Sequence, residues 1–545
     1  MRRRLHLVLT LLLATSMLLT ACGVSGGGNG DSGMDAKQVL DMTLEAEPPN
    51  LDSVNATDVV SVTVLNNVME GLYRMDKDNR PEPAIASSVD VSKDKKTYIF
   101  HLRDANWSDG KPVRAQDFEF AWKRGLAPET KSEYAFIFFP ILNAEEYNHG
   151  KATADQVGVK ALDDKTLKVQ LKQPIPYFLN LTAFPTYLPQ REDIVEKFGK
   201  AYATEPDKMV YNGPFNIQDW QHEQSMQYRK SDTYWDRSAV NLEKVNLKIV
   251  KDTSTAVNLY NSKQTDVAKL DSAFADAFKQ SPEFMPVQVA RTEYVQFNTD
   301  NPFFANEKIR KAISYAIDRD SLVKDVLKDG SESAYALVPP SIIGSDNKPF
   351  RDKAPDQHQF NPLEAKKLLK EGMEEQGITE KPTLTLLTFD DERKKVAVFI
   401  QEQLRNHLGI EVRIDPQPYK QKLDRESSGD FDITYAGWTS DFNDPISFLD
   451  LFTSSSPFNR GNWQNPNFDQ LVSKSKNNVD YDERNNELVK AESILVEKAP
   501  IAPVIYVGKA FLQKKYVKDL YRHPVGPEYS LKWTYVSGKS GNKDQ

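Results

Sequence analysis

Apolar and polar residues alternate along Phe431-Asp-Ile-Thr-Tyr435, and this period of two predicts a β-strand. The alternation stops in small residues, Ala436, Gly437, Thr439 and Ser440, which flank Trp438. Gly437 has no Cβ, so another backbone can lie close against it. Asp441 follows at once, and Asp444-Pro445 closes a turn. Two readings fit. One is a strand end that offers backbone hydrogen bonds, an aromatic wall and a carboxylate to an extended ligand. The other is a plain strand leaving the core, with both aspartates as turn-formers.

Other patterns predict further elements. Leu40–Glu45 reads as a strand, and Pro48-Pro-Asn-Leu-Asp52 turns the chain. Val59–Leu72 reads as an amphipathic helix ending near Gly71, with Thr57 and Asp58 as candidate N-caps. Thr97–Arg103 is a strand, Trp107-Ser-Asp-Gly110 a tight turn, and Pro112–Phe118 opens a helix that carries Trp122.

The N-terminus has a different logic. Arg2-Arg3-Arg4 precede an apolar run from Leu5 to Leu19, shorter than the roughly 20 residues of a spanning helix. The run ends in Leu19-Thr-Ala-Cys22-Gly23, which resembles a bacterial lipoprotein lipobox. On that reading 1–21 is a signal segment and Cys22 is lipidated, anchoring the protein to the extracytoplasmic face of the cell membrane. An ordinary secretory signal cleaved nearby is the alternative. Cys22 is the sole cysteine, so no intramolecular disulfide forms. Residues 22–36, rich in glycine and serine, read as a flexible tether.

Composition narrows the function. The mean hydropathy of −0.58 is that of a soluble chain. Seventy basic against 78 acidic residues, well mixed, argue against nucleic acid as partner. Aromatic residues make up 10% of the chain, with 22 tyrosines, enough to wall a ligand site.

An ordered set of motifs then resembles one family. It runs from the strand ending in Leu102-Arg103 through Trp107-Ser-Asp-Gly110, Pro112-Val113 and Ala115-Gln-Asp-Phe118. Tyr211-Asn-Gly-Pro-Phe215, Tyr234-Trp-Asp236, Val245–Val250 and Thr265-Asp-Val-Ala268 continue it. Tyr294–Asn298, Ile309–Arg319, Gly437–Pro445, Trp463, Asn465-Pro466 and Ala499-Pro-Ile-Ala-Pro503 complete it. The set is similar to extracellular solute-binding protein family 5, the peptide receptors of ATP-binding-cassette (ABC) importers. It departs from the family in a shortened Asp104-Ala-Asn106 hairpin.

The resemblance implies an α/β, two-lobed periplasmic-binding-protein-like (flytrap) fold with three domains, mixed sheets flanked by helices. Residues 37–71, 185–294 and 507–545 would form one domain, 72–184 an inserted second, and 295–506 the opposing lobe. A peptide would lie between the lobes as an added strand. Gly437 and Thr439 would bond its backbone on one side, and Thr57 and Val59 on the other. Trp438 would wall a side-chain pocket, Asp441 would pair with the α-ammonium, and Tyr134 and Tyr294 would face the cleft. Core packing is the equal alternative for Tyr294. Some members carry an arginine just before the Ala-Gly-Trp. Here Tyr435 stands in its place, which leaves ligand length open among dipeptides, longer peptides and signalling peptides.

The expected partners are a peptide, ABC permease and ATPase subunits, and a membrane reached through the anchor on Cys22. The protein is expected to act as a monomer with no cofactor, no metal and no catalytic residue. A surface lipoprotein hydrolase acting on peptides or glycans is the second reading, and an adhesive lipoprotein the third. Outside the glycine-rich tether, the chain has no Gly-x-Ser-x-Gly elbow, and it has no His-Glu-x-x-His, although paired carboxylates stay open.

The anchor has a direct test. Cys22→Ala should abolish incorporation of a fatty-acid probe and leave the protein released or unprocessed. Labelling that persists in the variant would rule the lipobox out, because no second cysteine exists.

Overall fold

The computed structural model describes residues 33–344, 348–354 and 359–539. Cys22, the expected signal segment 1–21 and most of the expected tether lie outside them. Strand β1 (Val39–Leu44) alternates inward and outward residues, as its pattern predicts. Helix α1 (Val59–Val68) follows, and Asp58 caps it by accepting from Ser61 N at 2.8 Å. Thr57 lies one position before the cap. The helix ends at Val68, short of the expected Leu72, because Asn212 captures the next turn. Asn212 accepts from Glu70 N and donates to Glu70 O, both at 2.9 Å. A Cβ on the adjoining Gly213 would sit 2.4 Å from Met69 N, so only glycine fits there.

Strands β2 (Ala86–Val91), β3 (Thr97–Leu102), β4 (Val159–Asp163) and β5 (Thr166–Gln170) form an antiparallel sheet in the order β2-β3-β5-β4. Helix α2 (Ala115–Leu126) packs on it. Fully buried Trp107 donates Nε1 to Asp117 at 2.9 Å, and Asp117 also accepts from Arg114 N. The Trp-Ser-Asp-Gly turn is thus tied to the first turn of α2. Strands β6 (Phe215–Gln221), β7 (Ser225–Lys230) and β8 (Lys244–Ile249) pair antiparallel, and β1 joins β8 in parallel.

The largest sheet has seven strands. Its main path combines β9 (Val267–Leu270), β10 (Phe284–Phe297), β11 (Leu384–Phe389), β12 (Val412–Gln417), β13 (Ile433–Thr439) and β14 (Ile501–Gln513) in the order β9-β14-β10-β13-β11-β12. A helix, Lys394–Leu408, links the parallel pair β11 and β12 and buries its apolar face on them. One large core draws on residues between Leu40 and Val267 and between Phe511 and Val536. A second lies wholly between Val295 and Ile505. Strands β10 and β14, 14 and 13 residues long, carry the sheet between the two. The expected boundaries after 294 and 506 therefore fall inside continuous strands.

Two motif arginines stitch the second core. Arg310 donates Nε to Ala499 O at 2.9 Å and Nη2 to Lys498 O at 2.7 Å. Arg319, fully buried, donates to Pro503 O at 2.6 Å and Ser314 O at 2.9 Å. The Ile309–Arg319 and Ala499–Pro503 motifs, distant in sequence, are therefore one structural unit. Burial lowers each guanidinium's pKa to about 10, and carbonyl oxygens supply the hydrogen bonds.

Arg319→Met keeps the length and orphans these buried carbonyls, at about 1–3 kcal/mol for an unsatisfied group. Urea denaturation should show that loss with the ligand site intact. Wild-type stability in the variant would mean the guanidinium bonds are dispensable.

Candidate functional site

The site begins with the pairing of β13. The strand starts at Ile433 and runs through Thr439, so Ala436, Gly437 and Thr439 lie within it and only Ser440 lies beyond its end. Pairing with β10 extends it, from Arg291 opposite Thr439 to Phe297 opposite Ile433. Asn298 N donates to Asp432 O, and at the far end Ser440 N donates to Ala290 O at 2.8 Å. The register is unbroken between them, so even-numbered residues of β13 turn their N–H and C=O groups towards β10. Tyr435, Gly437 and Thr439 turn theirs the other way. On that side β11 pairs only at Ile433 and Thr434. Beyond Thr434 the edge of β13 is bare of strand partners among the described residues.

The two faces of β13 differ. On one, Tyr435 donates its hydroxyl to Glu293 at 2.7 Å, and Arg291 holds Glu293 at 2.8 Å and Thr439 Oγ1 at 3.1 Å. A Cβ on Gly437 would meet Arg291 Nη2 and Glu293 Cγ, each at 2.9 Å. Gly437 therefore makes room for this side-chain plate and for the β10 backbone, whose Thr292 O would lie 3.2 Å from the same Cβ. Arg291, Glu293, Asp391 and Arg393 line a cavity of about 320 Å³ beside it. On the opposite face Trp438 meets Phe458 edge-on, with centroids 4.9 Å apart. Both line a cavity of about 360 Å³ with Tyr177, Asp441 and Phe442.

Of four consecutive residues in the turn after β13, three have side-chain partners. Asp441 is half-buried in that cavity, and among the described residues no cation or donor meets its carboxylate. Burial raises its pKa to about 6. Phe442 stacks on Tyr177. Asn443 donates to Asn79 O at 3.0 Å and accepts from Ile343 N. Asp444, expected to be a plain turn residue, is buried in a bidentate pair with Arg484, at 2.7 and 2.8 Å. That pair fixes the turn and leaves Asp441 as its one unmatched charge.

Across the cleft lie Thr57, Val59 and Tyr134. Thr57 is exposed, and Tyr134 donates its hydroxyl to Thr57 O at 3.5 Å. The Tyr134 pKa is raised by burial and then by the Asp441 carboxylate, which places the two within electrostatic reach. Val59 is 44% exposed and lines a separate cavity of about 420 Å³ between α1 and β14. Tyr294 is the correction. At 5% exposure it packs edge-on against Phe452 in a hydrophobic cluster, because its strand position turns it inward. Tyr177, Phe458 and Arg291 join the site without a sequence signal, since no periodicity or spacing sets them apart, and Phe442 joins it from within the Gly437–Pro445 motif.

Three comparisons bear on this geometry. The description "Bacterial extracellular solute-binding proteins, family 5 Middle" matches residues 80–460. The dipeptide-binding protein DppE of Bacillus subtilis (strain 168) is 38% identical over 509 residues, 93% of each chain. The peptide-bound OppA of Listeria monocytogenes is 36% identical with a TM-score of 0.72, over 92% of this chain and all of that one. The periplasmic murein tripeptide-binding protein MppA, in an unliganded open form, is 28% identical, yet its TM-score is 0.80, over 92% of this chain and 98% of that one.

Asp444→Asn should cost about 3–5 kcal/mol by leaving Arg484 buried without its anion. Denaturant titration should read that loss in the absence of any ligand. A variant as stable as wild type would mean the pair does not hold the turn.

Proposed function

Since this chain belongs to the bacterial extracellular solute-binding proteins of family 5, we propose that it binds a peptide along the bare edge of β13 and delivers it to an ABC importer. The observation that carries this reading is the half-buried, unpartnered Asp441 at the end of that edge. Gly437 and Thr439 bond the peptide backbone, Trp438 walls a side-chain pocket, and Asp441 takes the α-ammonium. Thr57, Val59 and Tyr134 close from the other lobe. Backbone recognition is blind to sequence, so side-chain tolerance is broad.

Three domains complete the reading, 37–71 with 185–294 and 507–545, the inserted 72–184, and the opposing 295–506, with the first and last sharing the seven-stranded sheet. The higher TM-score against an unliganded open form supports an empty, open arrangement. Peptide then draws the lobes together, and the receptor returns it unchanged, as befits a family of binding proteins. It acts as a monomer outside the cytoplasm, held by a lipid on Cys22. No helix among the described residues is long and apolar enough to cross a membrane.

The charge at Asp441 makes binding depend on pH. An ammonium pairs with the ionised carboxylate, so affinity falls by about tenfold per unit once pH drops below about 6. It falls again above roughly pH 8, where the peptide's α-amine loses its proton. The stability of the empty protein has the opposite sign. A raised carboxyl pKa gives stability that is present at low pH and lost as pH rises through about 6. Peptide restores it.

Isothermal titration with one peptide in free and N-acetylated forms tests the reading. Asp441→Asn should weaken the free peptide by roughly two to three orders of magnitude, the scale of a broken buried pair. The acetylated peptide should bind wild type weakly, lose little more in the variant, and show no optimum between pH 6 and 8. Equal losses for both forms would remove Asp441 from the role.

A further inference from the structure

The cavity of about 420 Å³ that Val59 lines is apolar on three sides. Met42 and Leu44 of β1, Val60 of α1, and Val507 and Phe511 of β14 form those walls. Asp329, Glu392 and Val507 also line the 320 Å³ cavity beside the Arg291–Glu293 plate, so the two spaces adjoin. The polar side comes from a short ribbon late in the chain, Tyr521–Arg522 paired antiparallel with Tyr529–Ser530. Arg522 and Tyr529 stand directly opposite each other in that register, so their side chains share one face. Both line the cavity.

These two side chains are donors without acceptors. Arg522 lies over the Phe511 ring, 3.8 Å from its centre, and its Nη2 donates to Gln513 at 3.3 Å. Its Nε and Nη1 are buried and meet no acceptor among the described residues, and burial lowers its pKa to about 10. Tyr529 is 3% exposed, and its hydroxyl has no partner among those residues either. The carboxylates around them are engaged elsewhere. Glu528, which acts on Arg522 through space, accepts from Lys509 at 2.6 Å. Glu45 pairs with Lys269, Asp271 caps the helix Ser272–Phe278, and Asp329 accepts from Ser331 N. Glu392, after β11, is exposed to water. Buried donors of this kind are destabilising until an acceptor reaches them.

We propose that this cavity is a side-chain subsite for an acidic residue of the peptide, with Arg522 and Tyr529 donating to its carboxylate. The inference rests on peptide binding along β13 and adds a preference at one position, while backbone recognition elsewhere stays blind to sequence. The walls choose among acidic groups. The methylenes of a glutamate find apolar contact at Val60, Val507 and Phe511, and its carboxylate finds the two donors. A peptide's own carboxyl end would bring a backbone amide against the same apolar walls and leave it unpaired. Folding has already withdrawn the Arg522 guanidinium from water, so a charge-assisted bond to it carries little further desolvation.

The test is isothermal titration of an otherwise neutral, carboxyl-amidated peptide in which a single glutamate moves along the chain, each form set against its glutamine counterpart. Its proteins are wild type, Arg522→Gln, Tyr529→Phe and Glu392→Gln. At one position wild type should prefer glutamate at least tenfold, the scale of one hydrogen bond to a charged group. That preference should fall below threefold in Arg522→Gln and shrink in Tyr529→Phe, which keeps the ring, while the glutamine peptides bind as before. Glu392→Gln should leave it in place. The wild-type scan needs no variant, and the two donors are replaced separately, so one variant that fails to fold leaves the other informative. The proposal is overturned if wild type prefers glutamate nowhere, or if the preference survives in folded Arg522→Gln. Equal weakening of every peptide in Arg522→Gln and in Glu392→Gln would make those residues partners of each other and overturn it too. So would a free carboxyl end whose advantage over the amide vanished in Arg522→Gln, since the guanidinium would then serve the terminus. Failure of the Asp441 reading looks different: Asp441→Asn would then weaken free and acetylated peptides equally, whatever the glutamate scan shows.

Discussion

Backbone N–H and C=O groups withdrawn from water need partners, and β13 has a full set on one side only. Strand β10 satisfies its even-numbered residues from Asp432 to Ser440. Strand β11 leaves it after Thr434. What remains is a short row of outward-pointing groups at Tyr435, Gly437 and Thr439, in a cleft and not on an outer edge. The Arg291–Glu293–Tyr435 plate supports one face of that row, and Trp438 forms a wall on the other. An extended chain can complete the ladder, and its end then arrives at the turn where Asp441 waits.

That turn separates two aspartates of opposite fate. Asp444 is buried against a guanidinium and serves the fold. Asp441, three residues earlier, is partly withdrawn from water with nothing among the described residues to neutralise it, and burial raises its pKa. On the proposed reading, the ligand supplies the missing charge. The neighbouring side chains of Phe442 and Asn443 reach the other half of the molecule. On that reading, ligand capture and lobe position share these four residues. The long strands β10 and β14 provide the continuous connection about which the halves stay joined.

The family motifs were legible in sequence, yet most of them build the scaffold. Trp107 bonds Asp117, Asn212 bonds Glu70, and Arg310 and Arg319 bond the carbonyls of the Ala499–Pro503 motif. The bounds of β13 were less legible, since pairing with Arg291–Phe297 overrides its run of small residues. The partner of Asp444 lies 40 residues downstream and leaves no local trace. Tyr294 looked like a cleft residue because its motif adjoins the site, but alternation along β10 sends it into the core. Tyr177 and Phe442 became a pair only through folding, since each belongs to a different half.

Amide hydrogen exchange, read residue by residue with and without peptide, tests the central claim most directly. In the empty protein the Ala436 and Trp438 amides, bonded to β10, should exchange slowly, while those of Gly437 and Thr439 should exchange fast. Saturating peptide should protect Gly437 and Thr439 and leave their neighbours nearly unchanged. Peptide that binds with full affinity while Gly437 and Thr439 keep exchanging as in the empty protein would contradict the account.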